Sequence, residues 1–285
     1  MQIIQKPKSV TRIDLPDFSA GWKQKILFLS DIHLDSPWCD RKLLKKHLDE
    51  AVETNAIIMC AGDLFDCMQG PKDPRASYRE LKDIYKHNDY FDCVLDDVAD
   101  FLKPYSKNIA MIGYGNHEYS VSRHNGTDMI QRIICKLRDM GSPAVAGGYG
   151  GYIKLSVFDN HMKTPRDSYK IAYNHGAGGD APVTKGMIAT NRQATYLNDF
   201  NLVWNGHNHN SYITQQATIK LSGKDEIEQG LVTFIRTPGY KNEYDQPGHG
   251  YAVSKNMSPT PRGCVWGEFS YYWNKIQVRY FADVI

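Results

Sequence analysis

The 285-residue chain is predicted to fold as one α/β domain, a four-layer α/β/β/α sandwich in which two mixed sheets lie face to face with helices outside. Three observations lead there. Up to about residue 140, apolar runs of strand length alternate with stretches of helical periodicity. Beyond Gly141 the runs are shorter and strand-like, which calls for a second sheet. The length suits one large core better than two independent ones.

Residues 1–24 mix Pro7, Pro16 and Gly21 with polar residues around Ile13-Asp14-Leu15, and read as an arm or edge strand packed on a domain of residues 25–285. Residues 25–30 are a buried strand. A helix follows over 41–53, with Leu44, Leu48, Ala51 and Val52 on one stripe and Lys42, Lys45, Lys46 and Asp49 on a solvated face. Residues 56–61 are the second buried strand, 67–75 are turn-rich, and 76–103 carry Leu81, Tyr85, Val94, Leu95, Val98 and Leu102 at helical spacing before Pro104. The third strand, 108–113, exits between Gly113 and Gly115, and a helix over 127–140 buries Ile130, Ile133, Ile134 and Leu137. Shorter strands are expected at 152–158, 169–174, 202–205, 212–221, 231–236, 265–272 and 276–281.

Composition narrows the function. Lys plus Arg number 34 against 32 for Asp plus Glu, and a net charge of +2 lacks the basic footprint of a dedicated nucleic-acid binder. Six cysteines without CxxC spacing and no cleavable leader pattern imply a reduced, cytoplasmic setting. No apolar run approaches the ~20 residues of a membrane span.

Chemistry gathers at strand ends. Asp31 and His33 follow the first strand and share a face of extended chain. Gly62-Asp63-Leu64-Phe65-Asp66 closes the second, Gly115-Asn116-His117-Glu118 the third, His175-Gly176 a late strand, and Gly206-His207-Asn208-His209 another. In open α/β sheets, sites form at this carboxyl edge. The donors are oxygen and imidazole with no thiolate, a set that suits Mn, Fe, Zn or Ni at catalytic rather than structural sites. Cys60 and Cys67 read as packing thiols.

The ordered motifs D-x-H, G-D-x-x-D, G-N-H-E, H and G-H-x-H resemble those of the calcineurin-like metallophosphoesterases, over about residues 25–210. Any one is commonplace in a solvated loop, whereas five in order are not. The resemblance implies the calcineurin-like phosphoesterase fold and a site for two divalent ions, Mn foremost, that hydrolyses phosphate esters by in-line attack of a bridging hydroxide. It places Asp31, His33 and His209 on one metal, Asn116, His175 and His207 on the other, and Asp63 between them. His117 then stands beside the leaving group as general acid or charge stabiliser, with Asp66 and Glu118 orienting the ligands. His124, His161 and His249 compete with His175, which alone ends a strand before a glycine-rich turn. His47 and His87 read as ordinary helix-surface residues.

Asp66 is followed by Cys67-Met68 rather than Arg-Gly, unlike the protein phosphatases of the family, and Gly62–Asp66 is similar to the DNA-repair exonuclease branch, without that branch's capping domain. The tail resembles small phage-encoded members. A monoesterase needs a cation for its substrate's extra charge, and no motif loop carries an arginine, although Arg75, Arg123, Arg192 and Arg236 remain available. The expected substrate is therefore a phosphodiester, as short or single-stranded nucleic acid or a small nucleotide diester. A phosphomonoesterase and a metal-free scaffold are the alternatives. Aromatics of the tail, Tyr240 to Phe281, suit either base stacking or strand faces.

Overall fold

Strands rich in branched apolar residues are buried on both faces when helices cover one side and another sheet the other. Such strands, β3 (Lys23–Leu29), β4 (Ile57–Cys60), β5 (Ile109–Ile112) and β6 (Val145–Ala146), run parallel, and β12 (Gly263–Tyr272) and β13 (Lys275–Val284) extend the sheet antiparallel beside β3. A computed structural model describes the chain apart from residues 17–18, 20, 68–80, 160–163, 180–182, 222, 224, 245–250 and 274, and the side chain of Tyr251. The second sheet contains seven strands: β1 (Gln2–Lys6), β2 (Val10–Leu15), β7 (Gly150–Val157), β8 (Asp167–Asn174), β9 (Leu202–Asn205), β11 (Ile227–Arg236) and β10 (Tyr212–Leu221), in that spatial order. Residues expected to form an arm or edge strand supply two strands of this sheet, β1 at its edge and β2 parallel to β7.

Alternation along the strands divides the core. Ile26, Phe28, Ile57, Met59, Ala110 and Met111 meet Ile153, Ile171, Leu202, Trp204 and Ile235 between the sheets. Phe28 and Trp204 join edge to face, ring centroids 5.0 Å apart. Leu27, Leu29, Ile58, Cys60, Ile109 and Ile112 face the other way, onto helices α1 (Arg41–Glu53), α2 (Tyr90–Leu102) and α4 (Met129–Asp139). Asp40 caps α1 through Leu43 N–H, and Asp128 caps α4 through Gln131 N–H. On the far side of the seven-stranded sheet the covering cluster is small, Val203, Val232 and Phe234 under Ala194 and Leu197 at the end of α5 (Met187–Ala194).

Two helices depart from expectation. The stretch 76–103 is not one helix: 76–80 lie outside the described residues, Asp83–Tyr85 is a single 3₁₀ turn, and α2 starts at Tyr90 after Asn88-Asp89. Asn and Asp favour helix starts because they compete for the backbone N–H groups, so the break had a local signal. Asn116, expected just past the end of the third strand, begins a helix that was not expected, α3 (Asn116–Asn125). The short α6 (Tyr251–Ser254) lies in the tail.

Candidate metal centre

Parallel pairing brings the carboxyl ends of β3, β4 and β5 to one rim, and β8 and β9 deliver their ends beside it, Asn174 opposite Asn205. The loops then bond across: Asp31 N–H to Gly62 O (3.0 Å), His33 N–H to Asp63 O (3.0 Å) and Gly206 N–H to His175 O (3.0 Å). Asp31, His33, Asp63, His207 and His209 all hold positive φ, between 48° and 76°. Asp and His tolerate this left-handed region better than most residues, yet each such residue costs on the order of 1–3 kcal/mol, and strain of this kind clusters at functional sites. Glycines make room. A Cβ at Gly115 would lie 2.0 Å from Asp63 Oδ1, and one at Gly239 would lie 2.6 Å from His209 Nδ1.

The eight expected ligand and acid residues come together. Asp31, His33 and His209 offer donor atoms within 4.8 Å of one another, as do Asp63, His175 and His207, and also His33, Asp63 and His117. Asn116 joins the second group: its Oδ1 lies 3.1 Å from His175 Nε2 and 2.8 Å from His207 Nδ1. Each carboxylate has one oxygen fixed by the protein and one turned inward. Asp31 Oδ2 accepts from His207 N–H (2.9 Å) and from Ser30 Oγ, and Asp63 Oδ1 accepts from His117 N–H (3.0 Å). Asp63 Oδ2 lies 3.2 Å from His175 Nε2 and 3.9 Å from both His33 Nε2 and His117 Nε2.

Asp31 Oδ1 and His33 Nε2 are buried without a hydrogen-bond partner. Such groups are costly in a protein interior, and a cation between them would satisfy both. Buried carboxylates and imidazoles without thiolate match the donor taste of a divalent metal, so the residues fit the two-ion site expected of them. Burial disfavours the Asp63 carboxylate, but His117, His175 and His33 outweigh it and hold its pKa far below the ordinary range. At His175 burial works against the imidazolium, yet Asp63 and Asp31 raise its pKa to about 9. Burial lowers that of His33 to about 4.

Ring orientation is set from outside. His175 Nδ1 donates to Ala61 O (3.0 Å), which turns Nε2 toward the cluster, the arrangement typical of metal-binding imidazoles. His117 Nδ1 donates to Asp66 O (2.6 Å), leaving Nε2 for the reacting groups. Asp66 Oδ1 stands 3.2 Å from His33 Nδ1. Glu118, fully buried, accepts from the N–H groups of Gly115, Asp63 and Phe65.

Other residues had no sequence signal. Asp35 accepts from the N–H groups of Asp66 (2.6 Å) and Cys67 (2.9 Å). Lys241 reaches Asp66 Oδ1 (3.2 Å) and Glu243 Oε1 (3.5 Å), and Tyr240 N–H donates to Asp31 O (3.0 Å). Of the histidines weighed against His175, His161 and His249 lie outside the described residues, and His124 sits in the last turn of α3. His47 is not a surface residue as expected: it is fully buried, its Nδ1 2.8 Å from Tyr240 OH, because α1 turns it inward beside Leu44, Leu48 and Ala51. Cys60 and Cys67 are buried, and burial pushes both thiols up. Arg75 lies outside the described residues, and the Arg236 guanidinium rests 5.3 Å over the Tyr212 ring.

A family model described as calcineurin-like phosphoesterase matches residues 24–211. No curated protein matches the sequence. Similar solved structures include a predicted phosphoesterase of Streptococcus pneumoniae, at 12% identity over 92% of this chain and 90% of that one, TM-score 0.34. Vacuolar Protein Sorting 29 of Cryptosporidium parvum shares 12% identity over 92% and 99%, TM-score 0.40. Vps29 of Entamoeba histolytica, complexed with zinc, shares 11% over 91% and 99%, TM-score 0.38. At these scores no residue or ligand is carried over from them.

Proposed function

The chain belongs to the calcineurin-like phosphoesterase family, and from that premise we propose that it is a two-metal phosphodiesterase, manganese-dependent and acting on short or single-stranded nucleic acid. The observation that carries this reading is the convergence of two carboxylates, an amide and four imidazoles, with Asp31 Oδ1 and His33 Nε2 buried and unpartnered. Asp31, His33 and His209 would hold one ion, Asn116, His175 and His207 the other, and Asp63 both. Two such ions neutralise phosphate oxygens and lower the pKa of an attacking water.

The choice of a diester rests on charge. A monoester's terminal phosphate needs an additional cation beside the metals. Lys241, the lysine that meets the cluster, is 11% exposed and already matched by Asp66 and Glu243. No helix among the described residues is long and apolar enough to cross a membrane. The deciding experiment compares bis-nitrophenyl phosphate, nitrophenyl phosphate, labelled single- and double-stranded DNA, RNA and cyclic nucleotides on one manganese-loaded preparation. Turnover of the diesters is expected. Efficient turnover of the monoester alone would make the protein a phosphatase, and neither metal uptake nor turnover would make it a scaffold.

His117 is assigned the leaving-group proton, since its Nδ1 is held by Asp66 O while Nε2 faces Asp63. His117→Ala should keep its metals and lose about 10²- to 10⁴-fold in rate. Esters of nitrophenolate, which departs without a proton, should lose less than alkyl esters. Equal losses on the two would remove the acid role and leave only charge stabilisation.

A further inference from the structure

Several of the tail aromatics offer no base-stacking surface at the site. Tyr240, Trp266 and Phe269 are buried. Tyr272 and Trp273 are exposed, but at the turn between β12 and β13; because β12 runs antiparallel to β3, with Val265 opposite Phe28 and Ser270 opposite Lys23, that turn lies at the rim opposite Asp31.

Other aromatics do reach the cluster. Tyr119 follows Asn116 by three residues in α3, so the two side chains share a helix face one turn apart. Tyr119 is 61% exposed, and its ring meets Tyr149 edge-on, centroids 6.3 Å apart at 75°. Tyr149 meets His175 in the same manner at 5.4 Å and 79°, and its hydroxyl donates to Gly176 O (2.6 Å), which fixes the ring. An isolated exposed tyrosine needs no explanation. Here a line of three rings leads from solvent to the imidazole that shares Asn116 Oδ1, with the outermost ring braced and its surface open.

We propose that Tyr119, braced by Tyr149, is a nucleobase-stacking subsite beside Asn116 and His175. A nucleotide sets its base one sugar away from its phosphate, so a phosphate drawn to the ion that Asn116, His175 and His207 would hold leaves a base within reach of a neighbouring ring. Stacking requires only a π-face, so the subsite takes any base, and it draws no help from a basic surface, in keeping with the net charge of +2. The subsite deepens the diesterase reading and rests on it.

Two aryl diesters with the same leaving group, thymidine 5′-(nitrophenyl phosphate) and methyl nitrophenyl phosphate, separate base recognition from chemistry. Tyr119→Ala should raise KM for the thymidine ester about 5- to 100-fold, with kcat and the methyl ester unchanged. Tyr119→Phe should behave as wild type. Calorimetry with thymidine 5′-phosphate should show the same weakening in Kd without any turnover. An unchanged KM for the thymidine ester, or an equal rise for both esters, overturns the subsite. If wild type hydrolyses neither ester, the diesterase reading falls and calorimetry decides the subsite: a weaker Kd in Tyr119→Ala upholds it, and equal Kd values overturn it.

Discussion

Asp63→Asn is expected to strip both metal positions and bring hydrolysis to the background rate, while the fold survives. Asp63 Oδ2 faces His175, His33 and His117, so it lies between the two groups of donors and serves each. Two cations bound this close would repel, and a carboxylate shared by both would supply the negative charge that lets them coexist. Asn suits the test better than Ala. Asp63 holds φ 50°, where Asn is tolerated, and the retained amide oxygen can still accept from His117 N–H. Asn116→Ala removes a donor atom from one group only and should mainly weaken one ion. Metal content by plasma emission, with circular dichroism as the fold control, checks both variants. About two ions still bound to Asp63→Asn would remove Asp63 from its bridging place.

The parts of this site legible in sequence are those that lie within a few residues of a strand end. Asp31, Asp63, Asn116, His175 and His207 each follow an apolar run closely enough that strand pairing alone brings them to one rim. The supporting residues depend on chain crossings that no local pattern records. Lys241 meets Asp66 across 175 positions, and Tyr149 meets His175 from the neighbouring strand's start. His47 was misread because a histidine among lysines looks solvated, although its spacing from Leu44 and Leu48 already placed it on the buried stripe. Residues 2–15 carried too few alternating apolar positions to show more than an arm or edge strand, and their partner β7 begins more than 130 residues later.

The third motif also supplies the residue on which the site's backbone depends most, Glu118, expected to orient the ligands and found tying two loops together. Glu118 Oε2 accepts from Gly115 N–H (2.8 Å) and Asp63 N–H (3.1 Å), and Oε1 accepts from Phe65 N–H (2.9 Å). One carboxylate thus ties the start of α3 to the loop after β4, and it holds the peptide of the strained Asp63. The arrangement is costly: burial, then the Asp63 charge, raises the Glu118 pKa to about 7. Glu118→Ala leaves three buried N–H groups without an acceptor, each worth about 1–3 kcal/mol, and opens a void beside them. Relaxation and water recover part of this, so a stability loss of about 3–5 kcal/mol is expected. Loosening Asp63 should also reduce activity about 10- to 100-fold in the fraction that remains folded. Glu118→Gln is the informative companion. Its single carbonyl oxygen, placed at the Oε2 position, serves Gly115 and Asp63 but turns an amide N–H toward Phe65 N–H, so it should fall between wild type and Glu118→Ala in both measurements. Urea unfolding and kcat/KM on bis-nitrophenyl phosphate read the two effects separately. Wild-type stability in Glu118→Ala would mean that water replaces the carboxylate at little cost and that Asp63 is held in place by its strand and by Gly115 instead.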